Sequence, residues 1–170
     1  SGQSTQHQGV IPDIQYPDIM DTKEIGESAL PEALPWDSIK PAIKPELDPI
    51  KPFLAELQSR YENRTAKNAD FTFARQRLQL SQKLMEETTV SLNESKRRAQ
   101  HSDIESKQLA IENSLRKAKG ETLLSKLKVE DEDALPVEDK KTKPEDDAYL
   151  TESGRILLDY LGLNTRLAKH

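Results

Sequence analysis

The apolar residues between Pro49 and Met85 recur at helical spacings, and this pattern predicts two consecutive helices. In the first of them the apolar positions are three or four residues apart, which places them on one stripe. That stripe consists of Ile50, Phe53, Leu54, Leu57 and Tyr61. Asp48 is a candidate cap, and Pro49 suits the first helical position because its missing N–H would have no partner there. We therefore predict one buried face for this helix.

The second helix carries apolar residues on two opposite faces. Asn68 and Asp70 are both candidate caps for it. One face contains Phe71, Ala74, Leu78 and Met85, and the other contains Phe73, Leu80 and Leu84. A helix with two apolar faces packs between neighbours or is shared with a partner. If both faces are buried, Phe71→Ala and Phe73→Ala should each cost about 3–5 kcal/mol.

A third helix is predicted from a capping box, after a β-branched stretch at 88–93 that favours extended chain. Ser102 is followed three residues later by Glu105, so the helix is predicted to begin at Asp103 and to run to about Lys119. Gly120 stands where a left-handed residue is expected to end it.

The remaining part of the chain alternates short apolar runs with an acidic loop. Three leucines between 121 and 128 suggest a further short helix. Residues 128–147 hold nine acidic and four basic residues, which predicts a mobile acidic loop. A last helix is predicted over 148–161, with Gly162 as its stop and a fraying tail to residue 170. Its stripe consists of Tyr149, Ile156, Leu157, Tyr160 and Leu161.

The N-terminal part reads as an extended strand followed by a proline-rich connector. Residues 1–16 contain Val10, Ile11 and Ile14 in a stretch that favours extended chain. A single strand needs a sheet, and the sequence offers little other strand-forming material. We therefore expect its sheet to lie upstream; the alternative is a frayed arm. The connector, 17–49, carries Trp36, which we interpret as an anchor on the helices and, less readily, as a ligand-stacking residue.

Composition restricts the classes of function. Apolar residues make up 34% of the 170 residues and charged residues 32%, so one domain with a modest core is expected. The segment 56–121 mixes thirteen basic with ten acidic residues and has few aromatics, which does not favour nucleic-acid binding. The chain has no cysteine, and this excludes disulfides, zinc–thiolate sites and thiol nucleophiles within it.

No catalytic constellation emerges from the residues of this chain. The three histidines, at 7, 101 and 170, share no helical turn, so a metal site is not indicated. Adjacent Ser–Lys pairs such as Ser95–Lys96 do not face each other on a helix and have no oxyanion-hole context. No phosphate loop or dinucleotide fingerprint occurs. We accordingly assign no catalytic, cofactor-binding or metal-binding residue and expect no cofactor.

Three segments resemble the tail-specific branch of the bacterial carboxy-terminal processing proteases. Residues 2–6 (GQSTQ) and 9–14 (GVIPDI) are similar to the end of the protease domain of that family. Residues 33–39 (ALPWDSI) resemble the connector that follows it, and 148–152 (AYLTE) resemble the C-terminal end. The order and spacing of these motifs fit the branch throughout the chain, whereas the central helices match in pattern more than in residues.

The resemblance implies a periplasmic serine endopeptidase with a serine–lysine dyad, which recognises apolar C-termini of proteins through a PDZ-type domain. Both the dyad and the PDZ-type domain lie upstream in that family, and no position here matches either catalytic residue. The chain would then be a helical C-terminal domain that packs on the protease core, shapes substrate access or docks a lipoprotein adaptor. Its unpaired strand would also allow dimerisation. The alternative is a free-standing helical interaction or adaptor protein.

The sequence therefore predicts a mainly α fold, α+β at most. Its parts are a last protease strand at 1–16, a connector at 17–49, a helical body at 50–127, an acidic loop at 128–147 and a terminal helix with tail at 148–170. As structural anchors we predict Trp36, Phe53, Leu57, Phe71, Phe73, Leu78, Leu84, Tyr149, Ile156 and Tyr160.

Overall fold

The computed structural model of the chain describes residues 4–5, 9–18, 30–40, 49–127 and 143–167. These ranges contain four α-helices: α1 Leu54–Thr65, α2 Ala69–Glu86, α3 Glu94–Lys119 and α4 Ala148–Leu167. They contain no β-strand beyond one isolated bridge residue. The predicted mainly α fold is therefore confirmed. The upstream strand and the proline-rich connector stay predictions, and residues 128–142 of the acidic loop lie outside the described part.

Helix α1 is entered through a short 3₁₀ turn rather than from a side-chain cap. The turn spans Lys51–Phe53 and has a proline in its first positions. Asp48, the predicted cap, lies outside the described residues. Behind this entry the predicted stripe is buried at Phe53, Leu57 and Tyr61, and the burial continues to Thr65. The Thr65 hydroxyl donates to the Tyr61 carbonyl at 2.9 Å, so this polar group is satisfied inside the core.

Helix α2 begins at the first of its two candidate caps. The Asn68 side chain accepts hydrogen bonds from the backbone N–H groups of Asp70, at 2.9 Å, and Phe71, at 3.2 Å. These bonds satisfy two of the donors that a helix leaves unpaired at its N-terminus. Asp70 therefore lies within the first turn, where its negative charge is also favourable.

Removal of this cap gives a small and testable effect. We expect Asn68→Ala to lower the free energy of unfolding by about 1 kcal/mol, because two backbone donors lose their acceptor. Urea denaturation measures it. Asn68→Asp is the matched control, since a carboxylate caps equally well and should leave stability almost unchanged. A loss of the same size in both variants would contradict the capping role.

Helix α3 begins nine residues earlier than predicted, at Glu94. Asn93 caps it, accepting from the Lys96 N–H at 3.1 Å. The predicted capping box at Ser102 is wrong: Ser102 lies inside the helix, and its carbonyl accepts from the Ser106 hydroxyl at 2.7 Å. Ion pairs four residues apart, such as Arg98 with Glu94 at 2.8 Å, support the additional turns.

The C-terminus of α3 follows the prediction, but the segment after it does not. Gly120 has φ +73°, and the Glu121 N–H donates to the Arg116 carbonyl at 2.8 Å, which ends the helix. The short helix predicted over 121–128 is wrong for the part that is described, 121–127. There the Asn113 side chain makes two hydrogen bonds, at 2.9 and 2.7 Å, with the backbone of Leu124, which fixes the segment as a loop.

Helix α4 extends further than predicted. Asp147 accepts from the N–H groups of Tyr149, at 2.9 Å, and Leu150, at 3.0 Å, and thus caps the start. The predicted stop at Gly162 is wrong, since the helix continues through it to Leu167. Gly162 does not adopt the left-handed conformation that would end a helix. A glycine inside a helix costs only about 1 kcal/mol, and five more residues continue the helix beyond it.

The helices associate as two pairs around a small core. Helix α2 packs on α3, and Lys119 at the end of α3 forms an ion pair with Asp70 at the start of α2, at 2.5 Å. This pair is therefore an antiparallel hairpin. Helix α1 packs on α4. The fully buried Phe71 of α2 contacts Tyr61 of α1 and Tyr149 of α4, so it joins the two pairs.

Candidate functional site

The N-terminal segment 9–18 lies against the helices through one aromatic residue, Tyr16. Its ring stacks on Tyr61 with 5.4 Å between centroids and meets Phe71 edge-on at the same distance. It also contacts Tyr149 at 5.3 Å. Aromatic pairs in these geometries each contribute about 0.5–1.5 kcal/mol beyond the area they bury. Four aromatic rings, one each from this segment, α1, α2 and α4, thus meet, with Phe71 among them.

Three tyrosine hydroxyl groups hold this segment against the helices, two of them through bonds to its backbone. The Tyr61 hydroxyl donates to the Gln15 carbonyl at 3.3 Å, and the Tyr149 hydroxyl donates to the Pro17 carbonyl at 3.0 Å. The Tyr16 hydroxyl lies 3.0 Å from the Ser153 hydroxyl. Burial raises the pKa of Tyr61 and of Tyr149, which keeps both hydroxyls protonated as donors.

Loss of the Tyr16 ring should release the N-terminal segment and leave the helices folded. We expect Tyr16→Ala to cost about 1–2 kcal/mol and to make the bonds around residues 10–15 much more sensitive to a nonspecific protease. Limited proteolysis with mass spectrometry locates the cleavage sites, and circular dichroism reports helix content. Tyr16→Phe is the control, since it removes only the Ser153 contact. Equal proteolysis of wild type and Tyr16→Ala would show that the segment is held by other contacts.

A second cluster joins α1 to α4 through charged residues. Arg64 donates to Glu152 at 2.8 Å and to Asp159 at 2.5 Å. Arg60 donates to the other oxygen of Asp159 at 3.0 Å. Glu152 is only 2% exposed, so its charge depends on Arg64 and, at the longer distance of 3.7 Å, on Arg155. The residues lie one or two turns apart on facing sides of the two helices, which fixes their relative position.

The ion pairs also shift the pKa values of Asp159 and Arg64. Partial burial of Asp159 opposes ionisation, but hydrogen bonds from Arg60 and Arg64 outweigh it and hold the pKa of Asp159 below its ordinary value of 3.8. The hydrogen bond to Glu152 raises the pKa of Arg64. When the pKa of a carboxyl is lower in the folded state, the unfolded state takes up the proton at a higher pH than the folded state does. Acidification therefore favours unfolding.

Because the pKa of Asp159 is lowered in the folded state, the stability difference between wild type and Asp159→Asn should depend on pH. The pair contributes its full stability above the unfolded pKa of 3.8 and loses it as the pH falls toward the lower folded pKa. We expect the variant to be less stable than wild type by about 1 kcal/mol at pH 7, since the pair is partly exposed, and the difference to shrink below about pH 4. Urea denaturation from pH 7 to pH 3 measures this. A difference that grows on acidification would contradict the assignment.

An open groove of about 1730 Å³ runs across the helices on the side of the N-terminal segment. Val10 and Ile11 of the segment lie in it, with 84% and 64% of their surfaces exposed. Leu157 of α4 lines the same groove and is 57% exposed. Phe73 of α2 also borders it, with the Arg77 guanidinium 5.6 Å from its ring centre. The groove is lined mainly by apolar surface.

The predicted anchors are distributed between the core, the groove and the surface. Phe53, Leu57 and Phe71 are buried. Half-buried positions are occupied by Phe73, Leu78, Leu84, Ile156 and Tyr160. Tyr149 is 38% exposed although its ring contacts Phe71 and Tyr16.

Trp36 is 41% exposed, and its neighbours Leu34 and Ile39 are 69% and 74% exposed. The nearby backbone is bonded instead to the N-terminal part of the chain, since the Ser4 N–H donates to the Asp37 carbonyl at 3.0 Å. The docking of Trp36 on the helices therefore stays a prediction.

Sequence reasoning missed Tyr16 and the arginine–carboxylate cluster. Tyr16 stands beside Pro17 at the start of the predicted connector, and no periodicity marks it. Arg60 and Arg64 are visibly one helical turn apart in the sequence, but the carboxylates that they bind on α4 lie 88 to 99 residues away. In the described ranges no three His, Asp or Glu side chains converge as a metal site would require. No helix in the same ranges has the length and apolar content to cross a membrane.

Comparisons with known proteins place this fold in a family. Residues 20–162 match the family described as the C-terminal domain of tail specific protease. The chain belongs to this family. It is also 30% identical over 168 residues to the Tail-specific protease of Haemophilus influenzae. That alignment covers 97% of this chain but 23% of the relative, so the chain spans about a quarter of the length of the protein it matches.

Proposed function

We propose that this chain is the non-catalytic helical C-terminal domain of a periplasmic tail-specific serine endopeptidase. The match of residues 20–162 to a C-terminal domain family carries the proposal, together with the alignment of nearly the whole chain to a quarter of a named protease. The serine–lysine dyad and the PDZ-type domain are then supplied by polypeptide that precedes these residues. The full protein degrades or processes proteins from apolar C-termini.

The role of the domain is that of a scaffold. Its charged residues at the α1–α4 contact are paired with one another, and its aromatic residues hold segment 9–18, which leads in from the preceding polypeptide. Such a domain packs on the protease core and shapes the path of the substrate, or docks a lipoprotein adaptor. The apolar groove next to segment 9–18 offers a surface for these contacts.

A peptidase assay tests the proposal directly. We expect the full-length protein to cleave a reporter protein with an apolar C-terminus, and a reporter ending in charged residues to be cleaved far more slowly. The isolated chain 1–170 should cleave neither. Full-length protein with its nucleophilic serine replaced by alanine is the control for contaminating proteases. Cleavage by 1–170 at a rate comparable to the full-length protein would overturn the proposal.

The alternative of a free-standing helical adaptor makes a different prediction about the gene. It requires a reading frame that opens at this N-terminus, with a leader for export in place of a protease domain. Sequencing upstream of the codon for Ser1 distinguishes the two. Fractionation of cells tests the periplasmic location, since the full-length protein should leave the cell with the periplasmic extract.

A further inference from the structure

Helix α4 carries a second apolar face, on the side away from the core. Leu150, Leu157 and Leu161 are seven and four residues apart, which places them on one side of the helix. They are 54%, 57% and 48% exposed, and Leu158 at the edge of the face is 69% exposed. Gly154 lies among them, where its lack of a side chain leaves the backbone open to close approach. We call Leu150, Leu157, Leu158 and Leu161 the leucine face.

The leucine face is bordered by uncharged residues. Ser153 and Asn164 follow one edge, and Thr151 and Thr165 follow the other. Of the charged residues in the middle of α4, Glu152 and Asp159 pair with arginines of α1 on the opposite side, and Arg155 forms an ion pair with Glu152 at 3.7 Å. A solvated helix surface normally carries charge. An uncharged and contiguous apolar face is instead typical of a protein contact.

This face is continuous with the entry point of the chain into the domain. Leu157 lines the same groove as Val10 and Ile11, two exposed apolar residues of segment 9–18. Tyr16 fixes that segment to the helices through its ring contacts. The Tyr16 hydroxyl lies 3.0 Å from that of Ser153 at the edge of the leucine face, so segment 9–18 meets the helices beside this face.

We propose that the leucine face, with Val10 and Ile11, is the surface on which the preceding part of the longer protein docks. The proposal rests on the proposed function, in which most of the protein lies upstream; the relative is about four times as long as this chain. With Gly154 and the four uncharged residues that border the leucine face, this surface has eleven residues, fewer than the 20–30 a side of a standard interface between free proteins, which disfavours a second copy. Such a surface suffices for a body that is already tethered, because the tether supplies a high effective concentration.

Thiol labelling measures how accessible this face is to solvent. Since the chain has no cysteine of its own, an introduced cysteine is its only thiol. Leu157→Cys and Leu161→Cys are made separately in 1–170 and in the full-length protein, whose other cysteines are replaced by serine. We expect labelling by a maleimide to be at least about tenfold slower in the full-length protein at both positions. Gln108→Cys, at an exposed position of α3, is the matched control and should label equally fast in both proteins.

Each other result overturns the proposal. Equal rates in both proteins at Leu157→Cys and Leu161→Cys would show that no part of the full-length protein covers the face. Slow labelling of 1–170 that becomes fast on dilution would assign the face to a second copy. Slow labelling that appears only when another protein is added would assign it to an adaptor. Peptidase activity of the same samples tests the proposed function separately. If the full-length protein is active but labels as fast as 1–170, the docking surface is wrong and the proposed function stands.

Discussion

Phe71→Ala is expected to lower the free energy of unfolding by about 3–5 kcal/mol. Phe71 is 0% exposed, and its ring contacts Tyr16, Tyr61 and Tyr149 at centroid distances between 5.1 and 5.9 Å. Its removal leaves a cavity at the one place where α1, α2, α4 and segment 9–18 meet. Domains of this size are stable by about 5–15 kcal/mol, so the loss is a large part of the total. Urea denaturation followed by circular dichroism measures it.

Phe73→Ala is the matched control, on the same helix and with the same atoms removed. Phe73 is half-buried at the edge of the groove, and Arg77 covers part of its ring. We expect a cost of about 1–2 kcal/mol, because less apolar area is uncovered and little cavity is left. Sequence periodicity alone assigned equal costs to both phenylalanines. Equal costs in the experiment would show that both faces of α2 are buried, in contrast to the structure.

The difference between these two residues shows what periodicity predicts and what it does not. The spacing of apolar residues predicts which positions share a face, and the stripe of Phe53, Leu57 and Tyr61 was found in that way. It does not predict how many neighbours cover each face. Phe71 is buried because Tyr16 and Tyr149, distant in sequence, close over it. Phe73 has no such cover among the described residues.

The helix boundaries were predictable where one residue decides them and wrong where several compete. Gly120 ends α3 as expected, because its left-handed backbone is costly for other residues. Ser102 had the right neighbours for a cap, but the residues before it are good helix formers with ion pairs one turn apart, and the helix runs through them. Asn93, a cap nine residues earlier, was overlooked because the stretch before it is β-branched.

The family was predictable from short motifs, whereas the candidate surfaces were not. Motifs such as residues 33–39 depend only on local sequence, so they were visible without a structure. The groove and the leucine face depend on which side of α4 the core occupies. That choice is made by Glu152 and Asp159, whose partners on α1 are 88 and 95 residues away. No local pattern contains this information.

The side of α4 that faces α1 is set in part by the bond between Arg64 and the buried Glu152. We expect Arg64→Met to lower the free energy of unfolding by about 2–4 kcal/mol at pH 7, because it leaves the buried Glu152 with only its longer ion pair to Arg155, at 3.7 Å. The value lies below that for a fully buried pair, since the Arg64 side chain is 27% exposed. Arg60 still pairs with Asp159 in this variant, so the loss of stability reports mainly on Glu152. Urea denaturation of the purified variants measures it.

A double substitution separates the buried charge from the lost packing. Arg64→Met combined with Glu152→Leu replaces both charges by apolar groups of similar size, which is often neutral or stabilising for buried pairs. We therefore expect the double variant to recover most of the stability that Arg64→Met loses, with a coupling of about 2 kcal/mol in the double-mutant cycle. Additive losses would show that Glu152 is solvated in solution. The contact between α1 and α4, and with it the outward direction of the leucine face, would then depend on apolar packing alone.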